Sequence, residues 1–439
     1  MNIIRIASAV LFAMIATGTN AGSLTLEERL GRLLYRDVNL SAERNQSCES
    51  CHSTKPLTIN TREGDIDHPA AGFSHPRNVV EGTVVAGGSL PGTLGSFHVP
   101  SIGYSAFTPE FHWDGIRRLW IGGQFWDGRA ATLAAQSGQP FLNANELAMP
   151  SKWAVVSRIK EKRRYRKMFL RVYGIDLDQI PSQEMVGADR QPPPGVLAAY
   201  SAVEEAISKF EMSRVFNKFN SKYDYVVAGV TDFSELEAEG FEIFTGSKAM
   251  CFLCHTSEPT ISPDNTAFPA IFTNFAYENL GLPINDEIPG GDSHPGLGGR
   301  YEVAIRDTDG SELGKHKIPT LRNVALTPPY MHNGSLKTLE QVVHFYNTRD
   351  SKPRVCSSIT DPGYSIDCWP AAEFPDTKNK LHLGSLGLTA GEEEALVAFL
   401  RTLTDNYPVW GNRGGKSDPA VPEGTVSPFM SINFPFNID

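Results

Sequence analysis

The amino-acid sequence predicts a fold of two related helical domains with long irregular loops. The chain has 439 residues, of which 41% are apolar, and this is enough to bury two hydrophobic cores. A Cys-x-x-Cys-His motif occurs twice, at residues 48–52 and 251–255. A segment with apolar residues at helical spacing precedes each motif, at Leu26–Tyr35 and at Phe233–Phe244. Because helix and motif recur in the same order, the sequence indicates an internal duplication.

The first residues have the pattern of an export signal. Arg5 gives a positive start, residues 6–17 form a short apolar stretch, and Thr19-Asn20-Ala21 is a cleavage site of small residues. We therefore predict a signal peptide over residues 1–21 and a mature chain that begins near Gly22, with an uncleaved core helix as the alternative. No segment has the roughly 20 apolar residues of a membrane span. A periplasmic protein without a transmembrane anchor is expected, and secretion or attachment to the cell surface stays open.

The charge limits the class of partner. The sequence contains 40 lysine and arginine residues against 50 aspartate and glutamate residues, which gives a formal net charge of −10. A protein that binds the phosphates of nucleic acid needs clustered cations. The composition therefore excludes a nucleic-acid partner and favours a neutral or basic protein partner.

The two repeated motifs match the attachment sequence of c-type haem. In this sequence two thiols bond the porphyrin edge and the adjacent histidine ligates the iron. A zinc site or a redox-active dithiol also uses cysteines at this spacing, but neither needs a histidine directly after both pairs. The sequence therefore predicts two covalently attached haems. The residues expected to hold them are Cys48, Cys51, His52, Cys251, Cys254 and His255.

The remaining two cysteines, Cys356 and Cys368, have no histidine close by and lie in a segment with proline and serine. In an oxidising compartment such a pair most simply forms a disulfide that closes a short loop. We predict a structural disulfide between them.

Three further stretches organise the chain. Residues 58–103 are rich in Gly, Pro, His and Thr, which predicts a long loop region over the first haem. Residues 193–226 have apolar positions at helical spacing and are expected to form the connection on which the two domains pack. After Trp410 the composition predicts an irregular surface tail. We place the N-terminal domain at residues 22–200 and the C-terminal domain at residues 201–439.

With these motifs the sequence resembles the bacterial di-haem cytochrome c peroxidases and their relative MauG over nearly the whole mature chain. Besides the attachment motifs, the resemblance is carried by Phe125-Trp126-Asp127-Gly128-Arg129-Ala130 with Thr132-Leu133, by Pro319-Thr320-Leu321-Arg322-Asn323-Val324, by Pro329-Tyr330-Met331-His332-Asn333-Gly334, and by Thr338-Leu339-Glu340. The resemblance implies a mainly α fold with two cytochrome c-like helical domains, each with one covalently bound c-type haem, that face each other across an interface. It also implies that the first haem reacts with peroxide.

The resemblance implies four site residues near the first haem. Trp126 takes the position of the tryptophan that lies between the two haems as an electronic bridge. Gln136, Pro140 and Glu146 match the family's pocket positions. Glu146 is the candidate acid/base, because cleavage of the O–O bond requires a proton to move from the inner to the outer peroxide oxygen. From the residues alone, a core tryptophan and an exposed helix-terminal glutamate are the simpler interpretations.

The far ligand of the second haem separates the subfamilies. Ordinary peroxidases of this family have a methionine fourteen positions after the histidine that corresponds to His332, whereas this chain has Tyr346, as MauG has tyrosine. A phenolate favours ferric and higher-valent iron, while a thioether favours ferrous iron and raises the potential. Tyr346 is therefore the predicted iron ligand. Met331 is the alternative ligand, Met250 lies too close to the attachment site, and a purely structural Tyr346 is the third interpretation.

Two further features are implied around the first haem. His68 and His75 lie in the loop that carries a removable histidine ligand in the methionine-ligated peroxidases, but their surroundings differ, which favours an open five-coordinate iron. The family also has a calcium ion between the domains, and Thr327 and Pro329 match its carbonyl ligands. His98 stands where the family has asparagine. Because histidine is a poor ligand for a hard cation, this position argues against the calcium ion.

Three functions follow from these observations. The first is MauG-like: hydrogen peroxide raises the haem pair to a high-valent state, which oxidises a tryptophan or tyrosine of a protein partner, in one subgroup a copper-binding protein. The second is a cytochrome c peroxidase that reduces hydrogen peroxide to water with electrons from a small cytochrome or cupredoxin, and Tyr346 argues against it. The third is a non-enzymatic di-haem electron carrier, which has no use for a polar peroxide pocket. MauG's exit tryptophan corresponds to residues 248–250, which contain none, so the exit route must differ.

Overall fold

The computed structural model describes residues 24–54, 57–61, 64–68, 73–74, 83–183, 191–261, 267–289, 293–407, 419–421, 425 and 427–429, with the backbone alone between residues 57 and 74. The predicted signal peptide lies outside these residues. The fold is mainly helical, and long loops connect the helices. None of the helices in the described ranges is long and apolar enough to cross a membrane.

Most of the longer helices begin at a serine or threonine whose side chain caps the first turn. Thr25, Ser234 and Thr389 each form a capping box with a glutamate three residues later. The described helices are α1 (Leu26–Tyr35), α2 (Cys48–Cys51), α3 (Leu133–Leu142), α4 (Lys152–Lys160), α5 (Arg163–Tyr173), α6 (Pro194–Met212), α7 (Lys222–Val227), α8 (Glu235–Thr245), α9 (Tyr301–Ala304), α10 (Leu339–Thr348) and α11 (Ala390–Arg401). The predicted helices before the two motifs are thus confirmed as α1 and α8, with a shift of two residues at the start of α8.

The two largest hydrophobic cores of the described residues follow each other along the chain. The first is built from α1, α3, α4, α5 and α6, and the second from α8, α10 and α11 with the loops between them. Each core contains one very close helix crossing that only glycine permits. A Cβ atom at Gly31 would lie 1.8 Å from the carbonyl oxygen of Ala206, and one at Gly240 would lie 1.9 Å from that of Ala395. The repeated crossing, α1 on α6 and α8 on α11, supports the internal duplication.

The strands are short and pair only in twos among the described residues. The pairs are β1 (His52–Ser53) with β4 (Phe73–Ser74), β2 (Leu57–Thr61) with β3 (Gly64–His68), β5 (His112–Asp114) with β6 (Leu119–Ile121), β7 (Thr260–Ile261) with β8 (Ala267–Phe268), β9 (Tyr277–Glu278) with β10 (His316–Lys317), and β11 (Arg354–Cys356) with β12 (Cys368–Pro370). All are antiparallel except β11 and β12. The predicted loop region at residues 58–103 therefore contains a hairpin.

The predicted helical connection at residues 193–226 is interrupted. Helix α6 ends at Met212, because the Asn217 side chain donates hydrogen bonds to the carbonyls of Glu211 and Ser213 at 3.0 and 2.9 Å and holds the chain out of the helix. Helix α7 then begins at Lys222. The tail after Trp410 lies mostly outside the described residues, and the division at residues 200 and 201 stays a prediction.

The predicted disulfide is confirmed. Cys356 and Cys368 are bonded, with their Cα atoms 5.2 Å apart. The bond joins the parallel strands β11 and β12, so it closes the loop of residues between them.

Candidate functional site

The first motif opens onto a cavity of about 640 Å³. Helix α2 presents Cys48 and Cys51, and His52 follows it directly. The Tyr35 hydroxyl at the end of α1 donates to the carbonyl oxygen of His52 at 2.6 Å, which ties the motif to the first core. The four pocket residues that the resemblance implies for the first haem also line this cavity. They are Trp126, Gln136, Pro140 and Glu146.

Glu146 has the environment that an acid/base group needs. Burial raises the pKa of its carboxyl, while Arg129 and a hydrogen bond from Asn143 at 2.6 Å oppose that shift. A raised pKa brings a carboxyl closer to the pH at which it exchanges protons. The assignment of Glu146 as the acid/base stays a prediction.

The second motif opens onto a separate cavity of about 190 Å³, which Cys251, Cys254 and His255 line. Nδ1 of His255 lies 3.0 Å from the carbonyl oxygen of Phe272. Burial lowers the pKa of His255 to about 4, so the ring is neutral, and the carbonyl fixes the proton on Nδ1. Nε2 then carries no proton and offers its lone pair, which is the form of the ring that ligates a metal. These residues fit a covalently attached haem, as do the thiols of the first motif.

Two candidate far ligands reach the second cavity. Tyr346 on α10 and Met331 both line it, and so does Met250. Burial, followed by the neighbouring Cys254 and Cys251, raises the pKa of the Tyr346 phenol well above its ordinary value. The phenol is therefore neutral in this environment, and a nearby metal cation would be needed to make it a phenolate. The geometry is compatible with the predicted ligand and leaves Met331 as the alternative.

Trp126 lies on the wall between the two cavities and lines both of them. Its indole N–H donates to the carbonyl oxygen of His98 at 3.0 Å, and the His98 amide donates to the carbonyl oxygen of His332 at 2.8 Å. The rings of Trp126 and His332 are 6.4 Å apart. This position is the one that a bridging tryptophan requires, and the bridging role stays a prediction.

Sequence reasoning missed several ionisable residues in the cavities, of which Lys317 and Glu211 have shifted pKa values. Lys317 lines both, donates from Nζ to the Gly123 carbonyl at 2.7 Å, and has a pKa lowered by burial to about 8. Glu211 on α6 lines the first cavity, and burial raises its pKa to about 8. Lys317 could have been noticed because it precedes the motif that begins at Pro319. Glu211 could have been noticed as an acidic residue in an apolar helical segment.

Replacing Glu211 with glutamine is expected to change how stability depends on pH. The native state keeps a proton on Glu211 up to about pH 8, whereas the unfolded chain loses it near the ordinary pKa of 4.5. Between these two pH values, Glu211 therefore destabilises the wild type progressively as the pH rises. Above pH 8 the Glu211→Gln protein should be more stable, by at most about 4–5 kcal/mol. Urea unfolding of both proteins at pH 5 and pH 8.5 measures this. A constant difference at both pH values would contradict it.

The two predicted calcium ligands, Thr327 and Pro329, line the first cavity together with His98. The buried His98 ring lies against the carbonyls of Val84 and Thr327, and burial lowers its pKa to about 4. The neutral His98 ring thus contacts the Thr327 carbonyl, which corresponds to a calcium ligand in the family. The residues present therefore do not fit this hard cation.

Removing calcium is therefore expected to have no effect. Treatment with a calcium chelator should leave the haem spectra and the peroxide reaction unchanged. A His98→Asn variant, which supplies an oxygen ligand, is the matched control and should become sensitive to the chelator. A spectral change in the wild type on chelation would show that the ion is bound after all.

The proposed removable ligands cannot be placed. His75 lies outside the described residues, and only the backbone of His68 is described, in β3. An open first iron stays a prediction.

Comparisons with known proteins show which family the chain belongs to. Residues 26–232 match the family described as di-haem cytochrome c peroxidase. MauG of Paracoccus denitrificans (strain Pd 1222) is 35% identical over 381 residues, which cover 86% of this chain and 88% of MauG. The structure of the diheme peroxidase BthA from Burkholderia thailandensis E264 has a TM-score of 0.65 at 25% identity and covers 86% of both chains.

A MauG-like protein associated with microbial copper homeostasis has a TM-score of 0.59 at 26% identity, over 90% of this chain and 93% of that chain. The similarity to MauG covers most of either chain. The protein is an oxidoreductase of the peroxidase type, and its family implies two c-type haems. The chain belongs to the family of di-haem cytochrome c peroxidases and MauG.

Proposed function

We propose that this enzyme uses hydrogen peroxide to oxidise its haem pair by two electrons and then oxidises a residue of a protein partner, as MauG-like enzymes do. The observation that carries this proposal is the placement of Tyr346 in the same cavity as Cys251, Cys254 and His255. An anionic oxygen ligand keeps the potential of the second haem low and supports higher oxidation states. Such a haem stores oxidising equivalents rather than collecting electrons from a donor.

The chain's own residues have distinct roles in this proposal. His52 and His255 would hold the two irons, and bound haems would supply the electrons that reduce peroxide. Glu146 moves the proton from the inner to the outer peroxide oxygen within the polar cavity. Trp126 connects the two haems electronically, because it lines both cavities. We also infer one c-type domain around each haem, with the predicted bounds 22–200 and 201–439, although the first hydrophobic core continues through α6 to Phe216.

A cytochrome c peroxidase that takes electrons from a small redox protein is the second candidate. The observation that favours it is Met331, which also lines the second cavity and would raise the potential as a thioether ligand. The third candidate, a simple electron carrier, is less consistent with a large cavity that holds the partly buried Glu146.

The partner and the compartment are also proposals. The export pattern of residues 1–21 supports a periplasmic location. The formal net charge of −10 favours a neutral or basic protein as partner. The structural similarity to a MauG-like protein associated with microbial copper homeostasis makes a copper-binding protein a suitable first candidate.

Replacing Tyr346 with phenylalanine tests the proposal directly. We expect wild-type diferric protein to form a long-lived two-electron-oxidised state after one equivalent of peroxide. Tyr346→Phe should keep both haems attached, change the spectrum of the second haem and abolish that state. Optical and Mössbauer spectra recorded after rapid mixing measure both effects.

The matched control is Met331→Leu, which removes the thioether of the alternative ligand in the same cavity. It should leave the second haem and the oxidised state unchanged. If Met331→Leu changed the second haem while Tyr346→Phe did not, the ligand would be methionine. Rapid turnover only with a reduced cytochrome would then favour the second candidate.

A further inference from the structure

A column of aromatic rings runs from the segment between the two cavities to the protein surface. Trp113 and Trp120 are directly opposite each other in the hairpin of β5 and β6, with their ring centroids 5.5 Å apart. Trp120 stacks on Phe111 at 4.8 Å with an angle of 5° between the planes, and Phe111 lies 6.1 Å from Tyr277. The outer ring, Trp113, is 41% exposed, whereas Trp120 is 8% exposed.

The inner end of this column is fixed to the wall that separates the cavities. The Tyr277 hydroxyl donates to the carbonyl of Gly122, at the end of the hairpin. Tyr277 also pairs with Lys317, whose amide donates to the Trp126 carbonyl at 2.8 Å. The next residue, Glu278, lines the second cavity. The column therefore begins beside Trp126 and the second haem site.

We propose that this column, Tyr277, Phe111, Trp120 and Trp113, carries oxidising equivalents from the haem pair to the surface, where Trp113 oxidises the protein partner. This inference rests on the proposed function. Phenylalanine is much harder to oxidise than tryptophan, and the Tyr277 hydroxyl donates to a carbonyl that cannot take its proton. Trp120 and Trp113 therefore carry the charge, and Phe111 and Tyr277 provide contact. In MauG the exit tryptophan precedes the second motif, and residues 248–250 of this chain contain none.

The electrons and protons balance. Peroxide accepts two electrons and two protons and becomes two water molecules. The haem pair regains its two electrons in single steps, each of which moves one electron from Trp120 inward, one from Trp113 to Trp120, and one from an aromatic residue of the partner to Trp113. The partner residue loses two electrons and releases two protons to solvent, which is accessible at the exposed Trp113.

Two cations near the inner rings of the column favour movement of an oxidising equivalent outward. The Arg300 guanidinium lies 3.8 Å from the centre of the Phe111 ring, and that of Arg306 lies 5.8 Å from the centre of the Trp120 ring. A positive charge over a ring opposes its oxidation. An oxidising equivalent is therefore less stable on the inner tryptophan than on Trp113, which favours its movement outward.

The surface around Trp113 suits a protein contact. Ile116 at the turn of the hairpin is 96% exposed, and Arg117 and Arg118 next to it are also exposed. Exposed tryptophan and arginine residues are enriched where proteins bind each other. This surface fits a partner protein that has an oxidisable aromatic residue at its contact face.

The test treats the diferric holoprotein with peroxide in the presence of a nitroso spin trap and without a partner. Peptide mapping by mass spectrometry then locates the trapped radicals. We expect an adduct at Trp113 and little at Tyr301, which is the control because it is 80% exposed but lies outside the column. Trp120→Phe keeps an aromatic ring in the hairpin and should remove the adduct at Trp113 while both haems stay attached.

Each outcome decides the proposal. Equal adducts at Trp113 and Tyr301, or an unchanged Trp113 adduct in Trp120→Phe, would show oxidation by solvent radicals and overturn the column. If Trp120→Phe does not fold, Trp113→Phe at the exposed end serves instead, and the oxidised haem state should then decay more slowly than in wild type. An unchanged decay would overturn the proposal. Failure of wild type to form any long-lived oxidised haem state would instead contradict the proposed function.

Discussion

Replacing Cys48 and Cys51 with alanine is expected to remove the covalently attached first haem and, with it, the reaction with peroxide. Both thiols lie beside His52 in the cavity that also holds Glu146, so no other cysteine among the described residues can bond a porphyrin there. The measurement is the mass of the denatured protein, which should fall by one haem, together with the loss of the fast optical change after peroxide.

The matched control is the variant with alanine at Cys251 and Cys254. It should also lose the mass of one haem, but it should keep a first haem that reacts with peroxide. The oxidised state should then be short-lived, because the second iron cannot share the oxidising equivalents. Loss of both haems from either variant would show that the sites do not assemble independently. Retention of both would mean that these cysteines are not the attachment points.

The sequence motifs predicted which residues meet at each cavity, because attachment by thiols requires two cysteines and a histidine within a few positions. The chemistry of attachment therefore fixes the spacing, and the spacing can be recognised in the sequence. Glu146 and Tyr346 lie far along the chain from those motifs, so no pattern in the residues alone could bring them there. Their positions were predicted from the resemblance to a known family. In the structure Glu146 lines the first cavity and Tyr346 lines the second.

The contacts that join distant segments could not be predicted. His98, for example, sits in a region without periodicity, yet its backbone connects Trp126 to His332. Lys317 donates to the carbonyl of Gly123. Such contacts depend on how loops cross after folding, and loops have neither the helical nor the strand repeat on which sequence prediction relies.

The predicted helical connection at residues 193–226 forms two helices, α6 and α7, for a similar reason. Residues 193–226 keep an apolar spacing throughout, but the Asn217 side chain takes the carbonyls of Glu211 and Ser213. A side-chain hydrogen bond of this kind competes with the backbone bonds of a helix. The apolar residues continue beyond α6 because the side chains of that segment are still buried, for example Phe216 and Phe219.

Replacing Arg322 with methionine is expected to destabilise the protein strongly. The guanidinium is fully buried and forms two hydrogen bonds with Asp224, at 2.8 and 2.9 Å, and a third with the Ala270 carbonyl at 2.8 Å. It also lies 5.1 Å from the ring centre of Tyr104 and 4.8 Å from that of Phe219. Removing one partner of a buried pair leaves an uncompensated charge, which costs about 3–5 kcal/mol.

Equilibrium unfolding in urea measures the effect of Arg322→Met, and two comparisons isolate its cause. In the exposed pair of Arg401 and Glu340 both side chains are nearly half exposed, so Arg401→Met should change the free energy of unfolding by less than about 1 kcal/mol. Removing both charges, with Arg322→Met and Asp224→Ala together, should cost less than the sum of the two single changes, because neither charge is then left alone. If the double variant lost the full sum, the stability would come from packing around the arginine stem and not from the pairing of the two charges.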